Sequence, residues 1–363
     1  MVNMKSSRQK TTFGFTLLEL MVAISLGLIV MAALAGLFKA GMNSAVLLTQ
    51  RAETQQNMRA AIDLMVKDIS MAGAGLPSGG IQLPTGPNSS ASLIGCDQAG
   101  TCHLPANAYP NSNYMFGVIP GYSNGVEANA VVVAAPPPAL NDSITSIYCD
   151  YNFPLWEYDV TFPVPGNGSS ITLTPDAAYI PAPLPIAAAG GIQVGDLIML
   201  SNNVGTAVGE VTGMTPTSIQ FADLDPLNFN QSGAGTNNIS AISNGANTIA
   251  YRLFAVSYYL TVPGNGQTPR LMRQVNGLSP VPVADDIINL QFSYDVYDAT
   301  ASPPALHANE PNPIGAGDSP NLMQKINLVI MAQSMLNHGN KSQNLYLATS
   351  VSARNMAFRN RYQ

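Results

Sequence analysis

One carboxylate stands alone in the most apolar part of the sequence. From Phe15 to Phe38 the chain reads FTLLELMVAISLGLIVMAALAGLF, and Glu19 is its one ionisable side chain. A carboxylate at the centre of a membrane costs about 2.5–3.5 kcal/mol on insertion scales, and such residues usually carry a function. Glu19 is therefore the first candidate functional residue.

Three cysteines, Cys96, Cys102 and Cys149, offer redox chemistry. None belongs to a CxxC motif, and no histidine lies at a metal-binding spacing from them. If this part of the chain lies outside the cytoplasm, one disulfide is expected. The pair Cys96–Cys102, which closes CDQAGTC, is favoured, and Cys149 is the alternative partner of either. Reduced, buried thiols are the other interpretation.

The remaining reactive residues form no recognised catalytic motif. His103, His307 and His338 are isolated, and the chain has no HExxH, GxSxG or Walker A sequence. Asp285 and Asp286 are adjacent, so on a strand they would point to opposite faces. The sequence therefore predicts a non-enzymatic protein without a cofactor.

One acidic stretch, FADLDPLNFN, could offer oxygen ligands to calcium through Asp223, Asp225 and Asn228. It lacks the glycine turn and the closing glutamate of an EF-hand. A solvated turn is the favoured interpretation, and we expect no metal site.

The composition favours a β-rich, loop-rich body. Of 363 residues, 46% are hydrophobic and only 10% are charged, with 31 glycines and 27 prolines. Residues 1–14 contain Lys5, Arg8 and Lys10, and without them 12 basic residues face 21 acidic ones. This balance argues against broad nucleic-acid binding but leaves a small basic patch possible, such as Arg354, Arg359 and Arg361.

The N-terminal apolar run predicts a retained membrane anchor. The 19 residues from Leu20 to Phe38 approach the roughly 20 needed to span a bilayer and exceed the roughly 7–15 of a signal-peptide core. No A-x-A cleavage site follows the run. The basic residues before it predict a cytoplasmic N-terminus and an exported body.

The sequence KTTFG at 10–14, followed by FTLLE at 15–19, resembles the processing site of type IV prepilins. The resemblance implies that a prepilin peptidase removes residues 1–14 by cleaving after Gly14, and that Phe15 is then N-methylated. It also implies that Glu19 pairs with the amino group of Phe15 on a neighbouring subunit, because opposite charges attract strongly at low dielectric. A plain signal anchor with an accidental glutamate is the alternative.

A long helix is predicted over 15–73, spanning the membrane at 15–38 and amphipathic at 39–73. Met58, Ile62, Met65 and Ile69 form one apolar row, and GAGLP at 73–77 predicts the helix end. Gly36 stands where many major pilins have a kinking proline, so local melting is possible at this point but a fixed proline kink is not. A coiled coil is the alternative, but the heptad pattern is not sustained.

The rest of the chain, 74–363, is predicted as an antiparallel β-rich head, which gives an α+β, pilin-like fold. Loops are expected at 136–138 and 302–320, and Trp156, Tyr258 and Tyr259 are expected in the core. Strands are predicted at 130–134, 169–173, 196–201, 207–213, 218–221, 248–261, 270–275, 288–296, 325–333 and 345–351.

Several head segments resemble the PilW family of minor pilins and the related J-type minor pseudopilins of type II secretion. They are VGDLIMLS at 194–201, YRLFAVSYY at 251–259, RLMR at 270–273, DDIINLQFSYD at 285–295 and VSARN at 351–355. With 15–75 they cover about half of the chain, and 76–190 resembles nothing we can name. All three cysteines precede residue 150, unlike the C-terminal disulfide loop of major pilins, which favours a minor subunit.

The resemblance implies a structural minor pilin in a tip or priming complex of a type IV pilus. Its partners would be the prepilin peptidase, other minor and major pilins, the inner-membrane assembly platform and a tip adhesin. Before assembly the head would be periplasmic, and afterwards the protein would be in the extracellular pilus. A J-type pseudopilin and a membrane-anchored DNA- or ligand-binding module are the alternatives.

Overall fold

The fold consists of a long N-terminal helix and a β-rich head, so the predicted α+β class is confirmed. The computed structural model describes residues 14–85, 94–104, 113–127, 141–231, 235–262, 268–298, 301–313, 319–334 and 343–357. The chain divides into two units, 1–53 and 54–363. The expected strand at 130–134, the expected loop at 136–138, and His338, Arg359 and Arg361 lie outside the described residues.

Helix α1 covers Leu17–Met71 without interruption. It passes through Gly27, Gly36 and Gly41 as regular helix, and it is neither melted nor kinked at Gly36 in this structure. Its N-terminal part is apolar and exposed. By length and composition alone, α1 could cross a membrane.

The part of α1 that belongs to the second unit has one buried face. The predicted row of Met58, Ile62, Met65 and Ile69 is buried there, which confirms the helical periodicity. Burying each of these side chains contributes about 1.5–3 kcal/mol. The helix ends at Met71, just before the predicted stop sequence GAGLP. Gly73 has a positive φ of 81°, which suits a residue without a Cβ, and its N–H donates to the Ile147 carbonyl.

The head contains 17 strands and several short helices among the described residues. The helices are α2 (Ile239–Ile242), α3 (Arg354–Ala357) and 3-10 turns at Leu155–Glu157 and Pro320–Leu322. The strands are β1 (Ile81–Gln82), β2 (Tyr114–Met115), β3 (Val118–Gly121), β4 (Ser143–Cys149), β5 (Tyr158–Thr161), β6 (Ser170–Pro175), β7 (Leu197–Ser201), β8 (Thr206–Glu210), β9 (Gly213–Met214), β10 (Ser218–Gln220), β11 (Ile249–Thr261), β12 (Arg270–Val275), β13 (Val281–Ala284), β14 (Ile287–Asp298), β15 (Ala305–Glu310), β16 (Met323–Ser334) and β17 (Gln343–Ser352).

All pairings between these strands are antiparallel. The largest sheet runs β13-β12-β11-β4-β3, and its central strand β11 also pairs with β7, which pairs with β8. A second sheet runs β15-β14-β16-β17, a third runs β5-β6-β10-β9, and β1 pairs with β2. The buried row of α1 shares one core with side chains from the first two sheets, including Tyr258, Phe292 and Ile326.

The predicted loop at 302–320 is wrong over part of its length, because β15 occupies Ala305–Glu310. This strand has the polar sequence ALHANE and lies at a sheet edge. This strand is stabilised by backbone pairing with β14 and not by the burial of its side chains. Its sequence therefore shows no hydrophobic alternation. Strand β4 was not predicted for the opposite reason, since every residue of SITSIYC is buried and no alternation is visible.

The aromatic residues divide between core and surface. Tyr258 and Tyr259 are fully buried, as predicted. Trp156 differs from the prediction, because it is half-exposed and lies between the rings of Tyr151 and Tyr251, at centroid distances of 5.7 and 6.0 Å.

Candidate functional site

The N-terminus of α1 is closed by a reciprocal pair of hydrogen bonds between Thr16 and Glu19. The Glu19 backbone N–H donates to the Thr16 Oγ1, with a separation of 3.3 Å. In return, Oε2 of Glu19 accepts from the Thr16 backbone N–H and from its hydroxyl, both at 3.0 Å. This is a capping box, which satisfies N–H groups that the first helical turn leaves without partners.

Sequence reasoning missed this role of Glu19, although the signal is readable. The stretch TLLE at 16–19 has the spacing of a Ser/Thr cap followed three residues later by Glu. Glu19 therefore has a partner within its own chain. Both bonds use Oε2, and the described contacts leave Oε1 without a hydrogen bond.

The candidate cleavage site, Gly14–Phe15, lies just outside the helix. Residues 14–16 have no regular secondary structure, and the first helical hydrogen bond runs from the Leu20 N–H to the Thr16 carbonyl. The side chain of Phe15 is 84% exposed, and a Cβ built on Gly14 would have no atom within 4 Å. Hydrolysis of this peptide bond would therefore leave the helix and its cap in place.

A comparison of the sequence with protein families places a known signal at this same position. A family described as the prokaryotic N-terminal methylation motif matches residues 10–35. The chain carries a pilin-type methylation motif. The motif indicates a type IV pilin-like or pseudopilin protein and favours a structural role. No curated protein and no solved structure matches the chain.

The first unit has the surface that such a protein needs. Along 15–48 every described large apolar side chain except the partly buried Leu47 is exposed, among them Leu18, Met21, Ile24 and Leu28. Exposure of so large an apolar surface to water is unfavourable, so this surface requires lipid or neighbouring helices to cover it. The motif and the exposed helix are together consistent with a membrane-anchored, pilin-like protein.

The structure joins Cys96 and Cys102 in a disulfide with an S–S distance of 2.02 Å. Cys149 is buried on β4, in the same apolar cluster as Cys96. Two side chains hold the loop that the disulfide closes. Gln98, inside the loop, donates a hydrogen bond to the Glu210 carboxyl. His103, the residue directly after Cys102, is the second.

His103 is isolated in the sequence but lies between two carboxylates in the structure. Its Nε2 is 3.1 Å from Asp97 Oδ2, and its Nδ1 is 2.5 Å from Glu127 Oε1. Burial raises the pKa of Asp97. The hydrogen bonds from His103 and from the Thr101 and Ala99 N–H groups outweigh this and hold that pKa below its ordinary value. These contacts link the disulfide loop to β11, because Glu127 also accepts a hydrogen bond from the hydroxyl of Thr261 on that strand.

The acidic stretch at 221–230 binds its own backbone. The Asp225 carboxylate accepts from the N–H groups of Phe229 at 2.9 Å and Asn230 at 2.8 Å. Beside it, burial and the nearby Asp225 raise the pKa of Glu210 to about 9. The residues that the structure describes contain no group of three or more His, Cys, Asp or Glu side chains that could hold a metal ion.

The structure does not bring the adjacent carboxylates Asp285 and Asp286 into one site. Both lie in the turn between β13 and β14 rather than on a strand. Asp285 pairs with Arg270 at 2.8 Å, whereas Asp286 accepts from the Thr268 hydroxyl.

Proposed function

We propose that this chain is a minor pilin resembling the PilW family, which helps to initiate or assemble a type IV pilus from a tip or priming complex. The observation that carries the proposal is the methylation motif at 10–35, which coincides with the capped start of an exposed apolar helix. A structural role follows from this combination, because the helix offers an assembly surface.

The proposal divides the chain into a leader, 1–14, a pilin helix, 15–73, and a head, 74–363. A prepilin peptidase would cleave after Gly14, and Phe15 would be methylated. The segment 15–38 would hold the protein in the inner membrane with a periplasmic head. The assembly platform would then transfer it to an extracellular pilus, next to other minor and major pilins and a tip adhesin.

The geometry of Glu19 supports its part in assembly. Oε2 is used by Thr16, whereas Oε1 faces no donor among the described residues. Processing would create an ammonium group at Phe15 of each neighbouring subunit. An ammonium and a carboxylate brought together in lipid attract strongly, so Glu19 could cap its own helix and bind the next subunit at the same time.

The first test is the N-terminus of the protein isolated from membranes of its native host. Mass spectrometry should find a chain that begins at N-methyl-Phe15. A chain that still begins at Met1 while the peptidase is active would contradict the proposal, as would a chain cut beyond the apolar run.

A J-type pseudopilin is the second candidate, because the same head segments resemble both families. A deletion strain separates the two. Loss of surface pili with normal protein secretion would support the minor pilin, whereas loss of type II secretion with normal piliation would support the pseudopilin. Complementation with the wild-type chain is the control in both assays.

A further inference from the structure

A cavity of about 310 Å³ opens on the outer face of the sheet β15-β14-β16-β17. Its floor is formed by Gln291 and Ser293 of β14 and by Asn327 and Val329 of β16. Gln291 pairs with Val329 and Ser293 pairs with Asn327 across the two strands. Side chains two residues apart on one strand share a face, and so do directly paired residues on neighbouring strands. The three polar side chains of Gln291, Ser293 and Asn327 therefore lie on one small area.

One wall of the cavity comes from a different sheet and is held by a buried carboxylate. Tyr122 lies in the turn after β3, and Asp142 lies just before β4. The Asp142 carboxylate accepts from the Ser123 N–H at 2.8 Å and from the Phe292 N–H of β14 at 3.0 Å. The turn that carries Tyr122 is thereby fixed against the floor, and the cavity exists before any ligand arrives.

Asp142 has the perturbed acidity that often accompanies binding sites. Burial raises its pKa above the ordinary value, although the two backbone N–H groups act in the opposite direction. A preformed cavity with a few converging polar groups and a perturbed carboxyl group has the usual properties of a small-molecule site. Its volume lies near the lower limit of such sites, about 300 Å³.

The lining defines the chemistry of the ligand. The Gln291 amide and the Ser293 hydroxyl can each donate and accept hydrogen bonds. The Asn327 amide nitrogen already donates to Asp295 and Asn309, so Asn327 offers its carbonyl oxygen as an acceptor. No lysine, arginine or histidine is among the described lining residues. Tyr122 is 46% exposed, and its ring offers an apolar face. The matching ligand is small, uncharged and rich in hydroxyl groups, with an apolar face of its own.

We propose that this cavity binds a neutral sugar of one or two rings. Tyr122 stacks on the apolar C–H face of the sugar, and Gln291, Ser293 and Asn327 hydrogen-bond to its hydroxyl groups. The proposal does not depend on the pilin role, because it rests on residues of the second unit alone. It assigns a ligand-binding site to the head.

The test uses the full chain in lipid nanodiscs, free of glycoside detergents that would occupy the site. Methyl glycosides of glucose, galactose, mannose and N-acetylglucosamine, together with lactose and maltose, are titrated by calorimetry and by saturation-transfer NMR. At least one of these sugars should bind saturably. Tyr122→Ala and Gln291→Ala should each weaken that sugar by about tenfold, because both remove a central contact.

Tyr346→Ala is the matched control. Tyr346 is 69% exposed on β17 of the same sheet but does not line the cavity, so binding should be unchanged. Gln291 is also exposed and makes no hydrogen bond to another described residue, so its replacement tests the site without disturbing the fold. The proposal is overturned if no sugar of the panel binds, if binding survives both cavity substitutions, or if Tyr346→Ala weakens it equally.

Discussion

At the residue scale, Glu19 has a capping role in the structure and a proposed role in assembly, and different substitutions can separate the two. Its carboxylate caps the helix through Thr16 and carries the negative charge that assembly is proposed to need. Glutamine can replace glutamate in a capping box but has no charge. Replacement of Thr16 by valine removes the hydroxyl of the cap and keeps the charge.

We expect Glu19→Gln and Glu19→Ala to insert into the membrane but to enter filaments poorly, because both lack the partner of the Phe15 ammonium group. Thr16→Val should enter filaments nearly normally, although loss of its side chain costs the cap about 0.5–2 kcal/mol. Immunoblots of sheared pili and membranes measure the distribution. Normal assembly of Glu19→Gln together with failure of Thr16→Val would show that the cap matters and the charge does not.

Glu210 should make the stability of the head depend on pH. Burial, followed by the hydrogen bond and the charge of Asp225, raises its folded pKa from 4.5 to about 9. As pH rises between these values, the unfolded chain loses the proton and the folded chain keeps it. The free energy of unfolding therefore falls across this window, and the stabilisation present below pH 4.5 is lost as pH approaches about 9.

Glu210→Gln should remove this part of the pH dependence, because its neutral amide does not titrate. Urea unfolding of the full chain near both ends of the window measures the effect. The variant should gain stability relative to the wild type at the alkaline end. Glu310→Gln, on the partly exposed edge strand β15, is the control and should leave the slope unchanged. An unchanged slope in Glu210→Gln would contradict the assignment.

At the element scale, one polar residue attaches the C-terminal part of α1 to the head. Asp68 is buried and accepts from the hydroxyl groups of Tyr148 at 3.0 Å and Tyr258 at 2.6 Å. It also pairs with Arg273 Nε at 2.9 Å. The helix is thereby linked to three strands, β4, β11 and β12, within the second unit.

Asp68→Ala should destabilise the second unit by about 3–5 kcal/mol, because Arg273 and two buried hydroxyl groups lose their partner. Asp63→Ala, on the exposed face of the same helix, is the matched control and should change stability by no more than about 0.5 kcal/mol. Chemical unfolding followed by tyrosine fluorescence measures both variants. Equal effects of the two substitutions would show that the buried network contributes nothing specific.

At the scale of the whole molecule, processing is proposed to decide whether the chain remains in the membrane or enters a filament. Gly14→Val should block cleavage, because a branched side chain at the scissile position should not fit the peptidase. The unprocessed chain should then accumulate in the membrane at its full mass and be absent from pili. Mass spectrometry of the membrane and pilus fractions measures this.

Gly27→Val is the matched control for that experiment. Gly27 lies inside α1, and a Cβ at this position meets no atom within 4 Å, so valine fits the single chain. This variant should be cleaved after Gly14 like the wild type. Cleavage of Gly14→Val, or a block in both variants, would contradict a specific requirement for glycine at the processing site.

Local patterns in the sequence were enough for the elements whose stability depends on near neighbours. The unbroken apolar run and the row from Met58 to Ile69 predicted the helix, and the glycines at 73 and 75 predicted its end. Strand β11, which is rich in Ile, Val and Tyr, and its neighbour β12 were predicted nearly to the residue. The methylation motif was readable for the same reason, since the residues that suggested it, 10–19, are consecutive in the sequence.

Tertiary structure decided every feature that depends on residues distant in sequence. The sequence pattern assigns Asp68 to the polar face of the helix, but it is buried because Tyr148, Tyr258 and Arg273 supply donors from 80 to 205 residues away. Strand β15 forms because β14 offers it an edge, and the proposed sugar cavity requires turns and strands from two sheets. Hydrogen bonds between distant segments leave no periodic pattern in the sequence. Helix packing leaves a regular spacing of apolar residues, and a motif leaves a fixed spacing of its own residues, so both can be read from the sequence.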